Sequence, residues 1–221
     1  MRIERALASE AKALGDILSH FPKREGIHMS DLNYCLRKAY WRKTEDVVVD
    51  KATILNWGNG LAWQWLLLGT AETPELELDG IKLSPDSVLG IEVKETSKYP
   101  SSKAEPIEEE RVLGNTSWLR QTMAYCYARN HPTVQMEKEY EWDLLVAHDM
   151  GFNKDIRYWK LYFMGKELID NWYWMRERWT LLTETLDNAR LPDVKYSEGW
   201  EHKLCPFFER CKVELEERGM V

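Results

Sequence analysis

Apolar residues recur at helical spacing over five stretches of the chain. In the first stretch, residues 1–21, an apolar residue falls on the same face at each helical turn. Pro22 and Gly26 interrupt this pattern, and Ser30 then stands where it can cap a second helix over HMSDLNYCLRKAYWRK. The other three helices are predicted at residues 52–68, 117–130 and 166–190, the last of them ending before Pro192.

Alternation of apolar and polar residues predicts four strands between these helices. The run ELELDGIKLS alternates, Ser84 and Pro85 mark a turn, and VLGIEVK is a second short strand rich in β-branched residues. We therefore expect residues 78–96 to form a hairpin. Two more strands are predicted at 133–147 and 156–164, joined by a turn at 151–155.

The order of these elements predicts an α/β fold with a mixed sheet flanked by helices. A length of 221 residues suits a single domain. We expect helices over residues 1–50, a core over 51–190 and a tail over 191–221. The chain has no apolar run long enough to span a membrane, and its N-terminus lacks the apolar centre of a signal peptide. A soluble cytoplasmic protein is therefore expected.

Composition limits the classes of partner. A net charge of −7 argues against indiscriminate coating of nucleic acid, although an acidic protein can carry a local basic groove. Two clusters of cations are candidates for such a groove, with an ordinary solvated surface as the equal alternative. Most of the 11 Trp are expected in the core, with one or two left to stack on bases. The two clusters are Arg37, Lys38, Arg42 and Lys43, and Lys94, Lys98 and Lys103.

The predicted hairpin gathers a set of residues capable of catalysis. It would bring Asp86 beside Glu92 and Lys94. Two carboxylates can hold a hard divalent cation, and the Lys ammonium can orient a water molecule for attack on phosphate. The alternative is a solvated hairpin with these charges on its wet face.

The spacing of these residues resembles that of a known nuclease family. Pro85-Asp86 followed by Glu92-Val93-Lys94 is similar to the signature of the PD-(D/E)XK nucleases. Gln121 and Tyr125 lie four residues apart, hence on one helical face, and match the QxxxY motif that follows the catalytic strand in the RecB-like branch. These motifs stand in the order that the family has.

The resemblance implies a restriction-endonuclease-like core and a DNA exonuclease that acts on single strands or frayed ends. Asp86, Glu92 and the Val93 carbonyl would bind Mg²⁺ or Mn²⁺, and Lys94 would position the attacking water. Gln121 and Tyr125 would order the substrate. Protein partners in CRISPR adaptation or recombination are implied as well.

One position departs from the RecB-like pattern. Those nucleases carry a Gly followed four residues later by a metal-binding His, whereas here Gly58 leads to Ala62. The metal shell would then lack a His. A non-catalytic DNA-binding or assembly subunit on the same fold is therefore the alternative function. Arg37 and Arg120 are assigned as candidate contacts to the DNA backbone.

Four Cys in an intracellular chain favour metal ligands or buried thiols over disulfides. The tail HKLCPFFERC and the early segment SDLNYC resemble the CRISPR-associated iron–sulfur exonucleases, which have one Cys before the core and three in a C-x2-C-x5-C tail. In this chain His202 stands at the first tail position. The resemblance implies a cluster, expected to be 4Fe-4S, held by Cys35, His202, Cys205 and Cys211.

Such a cluster would join the N-terminal helices to the C-terminus and stabilise the fold. A set of three Cys and one His is also an ordinary structural zinc site, and the residue types alone do not decide between the two. Cys126 is the alternative fourth ligand. Its place on a helix that should face the sheet favours a buried thiol instead.

Overall fold

The computed structural model describes residues 7–21, 24–46, 49–70, 72–96, 112, 114–150, 153–192 and 205–217. The helices in these ranges are α1 (Leu7–Ser19), α2 (Met29–Asn33), α3 (Leu36–Thr44), α4 (Lys51–Leu68), α5 (Thr116–Asn130), α6 (Gly165–Asp187) and α7 (Phe208–Glu217). The strands are β1 (Ile27–His28), β2 (Leu76–Leu78), β3 (Ile81–Leu83), β4 (Ile91–Thr96), β5 (Glu139–Met150) and β6 (Asn153–Met164). Among these helices, none is both long and apolar enough to cross a membrane.

The strands form two mixed sheets of three strands each, so the predicted mixed α/β class is confirmed, but the prediction of a single central sheet is wrong. The first sheet has the order β1-β3-β2, in which β1 runs parallel to β3 and β2 runs antiparallel to it. The second has the order β4-β5-β6, with β4 parallel to β5 and β6 antiparallel to β5. The helices flank these two sheets.

The expected hairpin over residues 78–96 is wrong. The hairpin that forms joins β2 to β3, with Asp79 and Gly80 between the paired strands. Both turn residues have positive φ angles, 53° and 78°, as a two-residue hairpin turn of the Asp-Gly kind requires. Strand β4 instead pairs with β5 in the other sheet, from Ile91 to Thr96. Ser84 and Pro85 therefore lie in a crossover between the sheets.

The predicted second helix is divided into α2 and α3. Ser30 is not its cap, since α2 begins at Met29 and the His28 N–H donates to the Asp31 carboxylate at 3.0 Å. The division has a clear cause. The buried Arg178 guanidinium of α6 donates to the carbonyl oxygens of Leu32 and Tyr34, which occupies acceptors that a continuous helix would use for itself.

The strands after α5 also differ from the prediction at their ends. Strand β5 begins at Glu139 rather than at residue 133. In the preceding segment, the Gln135 N–H donates to the Tyr140 hydroxyl at 2.9 Å, which replaces a ladder hydrogen bond. Met150 pairs with Asn153, so the turn between β5 and β6 is shorter than the predicted 151–155.

The main core lies between the second sheet and helices α5 and α6, and α2 and α3 close one end of it. Strand β5 contributes every second side chain, as its alternation predicts. The central members of the core are Leu32, Leu36, Trp142, Leu144, Val146, Phe163, Leu168, Trp172 and Met175, all of them buried.

Replacement of Gly165 by Ala is expected to destabilise the protein by about 1–3 kcal/mol, because overpacking of a rigid contact forces the backbone to move. The Gly165 N–H donates to the Lys138 carbonyl at 2.8 Å, and a Cβ at Gly165 would collide with the main-chain carbonyl of Gln135. Urea unfolding measures the loss.

Gly15→Ala in α1 is the matched control. A Cβ there meets no described atom within 4 Å, and Ala is the better helix former, so this variant is expected to gain about 0.5–1 kcal/mol. Equal unfolding midpoints for the two variants would contradict the close packing at Gly165.

Candidate active site

The centre of the candidate site is Glu92 of β4, which faces α5. Lys94 Nζ donates to Glu92 Oε1 at 2.6 Å and to Gln121 Oε1 at 2.8 Å. Gln121 Nε2 in turn donates to Glu92 Oε1 at 2.8 Å. Glu92 and Lys94 share a face of β4 because side chains alternate along a strand, and Gln121 approaches from α5, which packs on that face. The predicted Glu92, Lys94 and Gln121 are therefore in direct contact.

Asp86 joins this cluster although the hairpin expected to deliver it does not form. Its Oδ2 accepts the Val93 N–H at 2.8 Å, and its own N–H lies 3.4 Å from Glu92 Oε2. The crossover from β3 to β4 thus carries Asp86 against the edge of β4, where its side chain takes the place of a neighbouring strand.

Tyr125 anchors the helix to the crossover. Its hydroxyl accepts from Gln121 Nε2 at 3.0 Å and donates to the Ser84 carbonyl at 3.1 Å. The side chain is buried. Tyr125 therefore fixes the position of Gln121 and of the segment that leads into Asp86.

The sequence-based prediction missed Gln64 of α4. This buried side chain lies with Nε2 3.5 Å from the Asp86 carbonyl oxygen. It stands four residues after Gly60, whereas the count from Gly58 led to Ala62. A search for any polar residue one turn after either Gly would have found it.

Burial governs the electrostatics of the site. Glu92 is 1% exposed, and its desolvation raises its pKa to about 7 despite the opposing charge of Lys94. Burial also raises the pKa of Asp86. For Lys94, burial alone would lower the pKa, but the combined charges of Glu92 and Asp86 outweigh it and raise the pKa. Lys94 is therefore held as an ammonium.

The donor atoms suit a hard divalent cation. The charge of Asp86 contributes to the raised pKa of Glu92, so the two carboxylates repel each other, and a cation between them would offset this repulsion. In the described ranges, no three His, Cys, Asp or Glu residues are grouped closely enough to hold a metal. The other ligands of such a cation would be a backbone carbonyl, for which Val93 stays the prediction, and water.

The assignment of Arg37 to the DNA backbone is wrong. Arg37 is 1% exposed, and it donates from Nε to the Pro192 carbonyl at 3.0 Å and from Nη1 to Cys211 Sγ at 3.5 Å. The Arg120 guanidinium stacks on the Trp174 ring at 4.2 Å. Lys43, from the same predicted basic cluster as Arg37, pairs with Asp31 at 2.9 Å. Lys98 and Lys103 lie outside the described residues.

The cysteines of the predicted cluster are partly described. Phe207, the residue before α7, packs on Trp41 of α3 with ring centroids 5.0 Å apart, and Arg210 of α7 lies 5.2 Å from the same Trp41 ring. The tail therefore reaches the helix that follows Cys35. Cys35, Cys205 and Cys211 nevertheless form no three-ligand group in the part of the chain that is described. His202 lies outside that part. The described cysteines alone therefore do not make the predicted cluster site.

Cys126 is a buried thiol rather than a neighbour of the tail. Its Sγ lies 3.9 Å from the Glu141 carbonyl oxygen of β5 and accepts from Asn130 Nδ2 at 3.8 Å. Burial raises the pKa of this thiol to about 11. It is thus poorly disposed to act as a thiolate ligand.

In native protein from which bound metal has been removed, Cys126 is expected at pH 8 to alkylate far more slowly than Cys205. A pKa of about 11 instead of 9.0 leaves a thiolate fraction about a hundredfold smaller, and burial further restricts the reagent. Mass spectrometry of peptides after brief iodoacetamide treatment measures both thiols. Unfolding in guanidinium should make the alkylation rates of the two thiols equal. Equal rates in the native protein would contradict the burial of Cys126.

Comparisons with known proteins identify no family. No family model matches the chain, and no curated protein matches it. Among solved structures, the crystal structure of SSO0001 is similar over 89% of this chain and 90% of that one, at 16% sequence identity and a TM-score of 0.46. At that score the two backbones differ too much for any conclusion about fold or function to be carried across.

Proposed function

We propose that this chain is a metal-dependent deoxyribonuclease with a restriction-endonuclease-like core of the RecB-like PD-(D/E)XK type. Its substrates are single-stranded DNA or frayed DNA ends. One observation carries the proposal. Asp86, the Glu92–Lys94 pair and Gln121 come from three separate segments and meet in one connected cluster of hydrogen bonds.

Asp86 and Glu92, with the Val93 carbonyl, would hold Mg²⁺ or Mn²⁺. When bound, the cation supplies Lewis-acid chemistry, polarising a phosphate oxygen and lowering the pKa of water. The protein's own part is positional. Glu92 Oε1 is occupied by Lys94 and Gln121, so only Oε2, with its long 3.4 Å contact to the Asp86 N–H, is directed to other partners.

Lys94 has the role of a fixed positive charge. Its ammonium is held between Glu92 and Gln121, and the charges around it keep it protonated. A preorganised cation of this kind stabilises negative charge as it develops on a transferred phosphate. Gln121 and Tyr125 are positioning residues, because their hydrogen bonds hold Lys94, Glu92 and the crossover in place.

A non-catalytic DNA-binding subunit is the second candidate. Two observations favour it. The α4 residue beside Asp86 is Gln64 rather than a stronger metal ligand, and Glu92 is almost wholly enclosed. In this case the cluster would serve as a structural ion-pair network.

The deciding experiment incubates the purified chain with end-labelled single-stranded and duplex DNA. Cleavage is expected with Mg²⁺ or Mn²⁺ and none with EDTA, and single strands or frayed ends should be degraded faster than blunt duplex. Binding without cleavage under any of these metals would establish the second candidate instead.

We also propose an iron–sulfur cluster of structural role, with zinc as the alternative metal, held by Cys35, His202, Cys205 and Cys211. The support is the cysteine spacing together with the packing of α7 on α3. No step of the reaction is assigned to it. Anaerobic purification followed by metal analysis and a visible spectrum tests the proposal. Cys205→Ser should abolish the bound metal, whereas Cys126→Ser should leave it unchanged.

A further inference from the structure

A second feature lies further along α5, past the carboxylate site. It is a cavity of about 300 Å³ at the C-terminal end of the helix, where β5 extends beyond the start of β4. Arg129, Lys138, Trp142 and Gly90 are among the residues that line it. None of these residues has a role in the proposed chemistry.

The cavity lies on the same side of the sheet as the carboxylate site. Gln121, Tyr125 and Arg129 follow one another at intervals of four along α5 and so form one stripe. The Tyr125 ring, which contacts the site, lies 6.1 Å from the Trp142 ring, which lines the cavity. Eight residues of helix rise about 12 Å, so Arg129 lies about that far along α5 from Gln121.

Two exposed cations border the cavity. The Arg129 guanidinium lies directly against Gly90, where a Cβ would collide with it, and 6.0 Å from the Trp142 ring. Lys138 Nζ lies 5.3 Å from the Tyr140 ring. In the described part of the chain, neither cation has a carboxylate oxygen within 4.0 Å. Both charges are thus available to an anion from outside.

The acidic residues that line the cavity are directed elsewhere. Glu139, Glu141 and Asp143 alternate with Tyr140 and Trp142 along β5, so their side chains lie on the face opposite α5. On that opposite face Lys160 Nζ lies 3.2 Å from Glu141 and 4.0 Å from Asp143. The two cations therefore lie on the α5 face, and the three carboxylates lie on the opposite face.

The edge of β5 adds a main-chain donor. Strand β4 begins opposite Asp143, whose N–H donates to the Gly90 carbonyl at 2.9 Å. Because main-chain groups on one edge of a strand recur every second residue, the Glu141 N–H is directed into the same gap just before the start of β4. The Glu141 carbonyl is directed to the same edge, where it lies 3.9 Å from Cys126 Sγ. Two cations and a backbone N–H together suit a tetrahedral oxyanion.

We propose that this cavity binds a backbone phosphodiester of a nucleic-acid strand, further along the same strand from the group held at Asp86 and Glu92. The inference rests on the proposed function for its substrate class. The phosphate contact of Arg129 and Lys138, called the anchor below, gives the strand a second point of attachment besides the carboxylate site. The anchor fixes register and orientation without reading base identity.

The test measures binding of a labelled single-stranded oligonucleotide, long enough to reach both sites, to the full chain in EDTA. Arg129→Ala with Lys138→Ala is expected to weaken binding about five- to tenfold at low salt. The slope of log affinity against log salt should fall by about 0.7 for each phosphate that the variant no longer neutralises. Arg176→Ala, which removes an exposed cation that pairs with Asp79 outside the cavity lining, is the matched control and should leave affinity and slope unchanged.

Two further measurements separate an anchor from a general structural effect. A dinucleotide cannot span both sites, so its cleavage by the double variant should equal that by the wild type, while cleavage of the long strand falls. Arg129→Lys should recover most of the binding that Arg129→Ala loses, because a cation is restored. Equal loss on both substrates, or unchanged binding of the long strand, would overturn the anchor.

The outcomes also separate this proposal from the proposed function. A chain that binds DNA through Arg129 and Lys138 but never cleaves it would support the anchor and refute the nuclease. A chain that cleaves, with the double variant binding the long strand as tightly as the wild type, would refute the anchor alone.

Discussion

Asp86→Asn is expected to lower the rate of metal-dependent DNA cleavage by about a thousandfold or more, which corresponds to about 4 kcal/mol of transition-state stabilisation. The substitution removes one of the two carboxylate charges at the site. It keeps the shape of the side chain, and the amide oxygen can still accept the Val93 N–H that Asp86 Oδ2 accepts at 2.8 Å. Single-turnover cleavage of a labelled strand over a range of Mg²⁺ concentrations measures the change.

The control for this substitution is Asp155→Asn on β6. Asp155 is exposed and pairs with Arg157 at 2.8 Å. Asp155→Asn therefore makes the same chemical change, loss of one carboxylate charge, at a position outside the site. This variant should cleave at the wild-type rate. Asp86→Asn should unfold at nearly the wild-type temperature, which separates lost chemistry from lost folding. Cleavage that persists in Asp86→Asn with its normal metal dependence would refute the site.

Arg178→Met is expected to destabilise the protein by about 3 kcal/mol or more. Arg178 is 6% exposed and donates to the carbonyl of Leu32, near the end of α2, and to that of Tyr34, between α2 and α3. Met fills similar volume but provides no donor, so both carbonyls lose a hydrogen bond at about 1–3 kcal/mol each. The stacking of the guanidinium on Trp174, at 4.6 Å, is lost as well. Urea unfolding at constant protein concentration measures the difference.

Arg176→Met, two residues earlier on the same helix, is the matched control. Arg176 is 53% exposed and lies 3.5 Å from Asp79 in a surface ion pair. An exposed pair of this kind contributes about 0–1 kcal/mol. A loss of stability as small for Arg178→Met as for Arg176→Met would show that the two carbonyls find other donors.

Local chemistry was predictable where a short stretch of sequence decides it. Gln121 and Tyr125 share a helical face because they are four residues apart, and their hydrogen bond at 3.0 Å follows from that spacing. Glu92 and Lys94 share a strand face for the corresponding reason, and the long helices were predicted within a few residues of their ends.

Pairings between distant segments were not predictable from the same patterns. Strand β4 has the same apolar alternation whether it pairs with β3 or with β5, and only the packed fold selects β5. The buried roles of Arg37 and Arg178 could not be inferred either. Their acceptors are main-chain carbonyls 155 and 146 residues away, which carry no sequence signal.

For Asp86, the predicted contact is present but the predicted path of the chain is wrong. The sequence predicted its place beside Glu92, but the predicted hairpin was the wrong route to it. A carboxylate that accepts the N–H of Val93 needs only a crossover of the right length, and the crossover from β3 to β4 provides one. The contact was therefore predictable from the motif, while the path of the chain was not.

The contacts around α2 and α3 also have a consequence for biosynthesis. These early helices depend on Arg178, on the Pro192 carbonyl and on Phe207, all of which are translated more than 130 residues after Trp41. Chains emerge from the ribosome at about 5–20 residues per second, so the early segment waits for several seconds before its partners exist. During that interval the apolar side chains of α3 lack the partners that bury them in the folded protein, so this segment completes its folding only after the rest of the chain has been made.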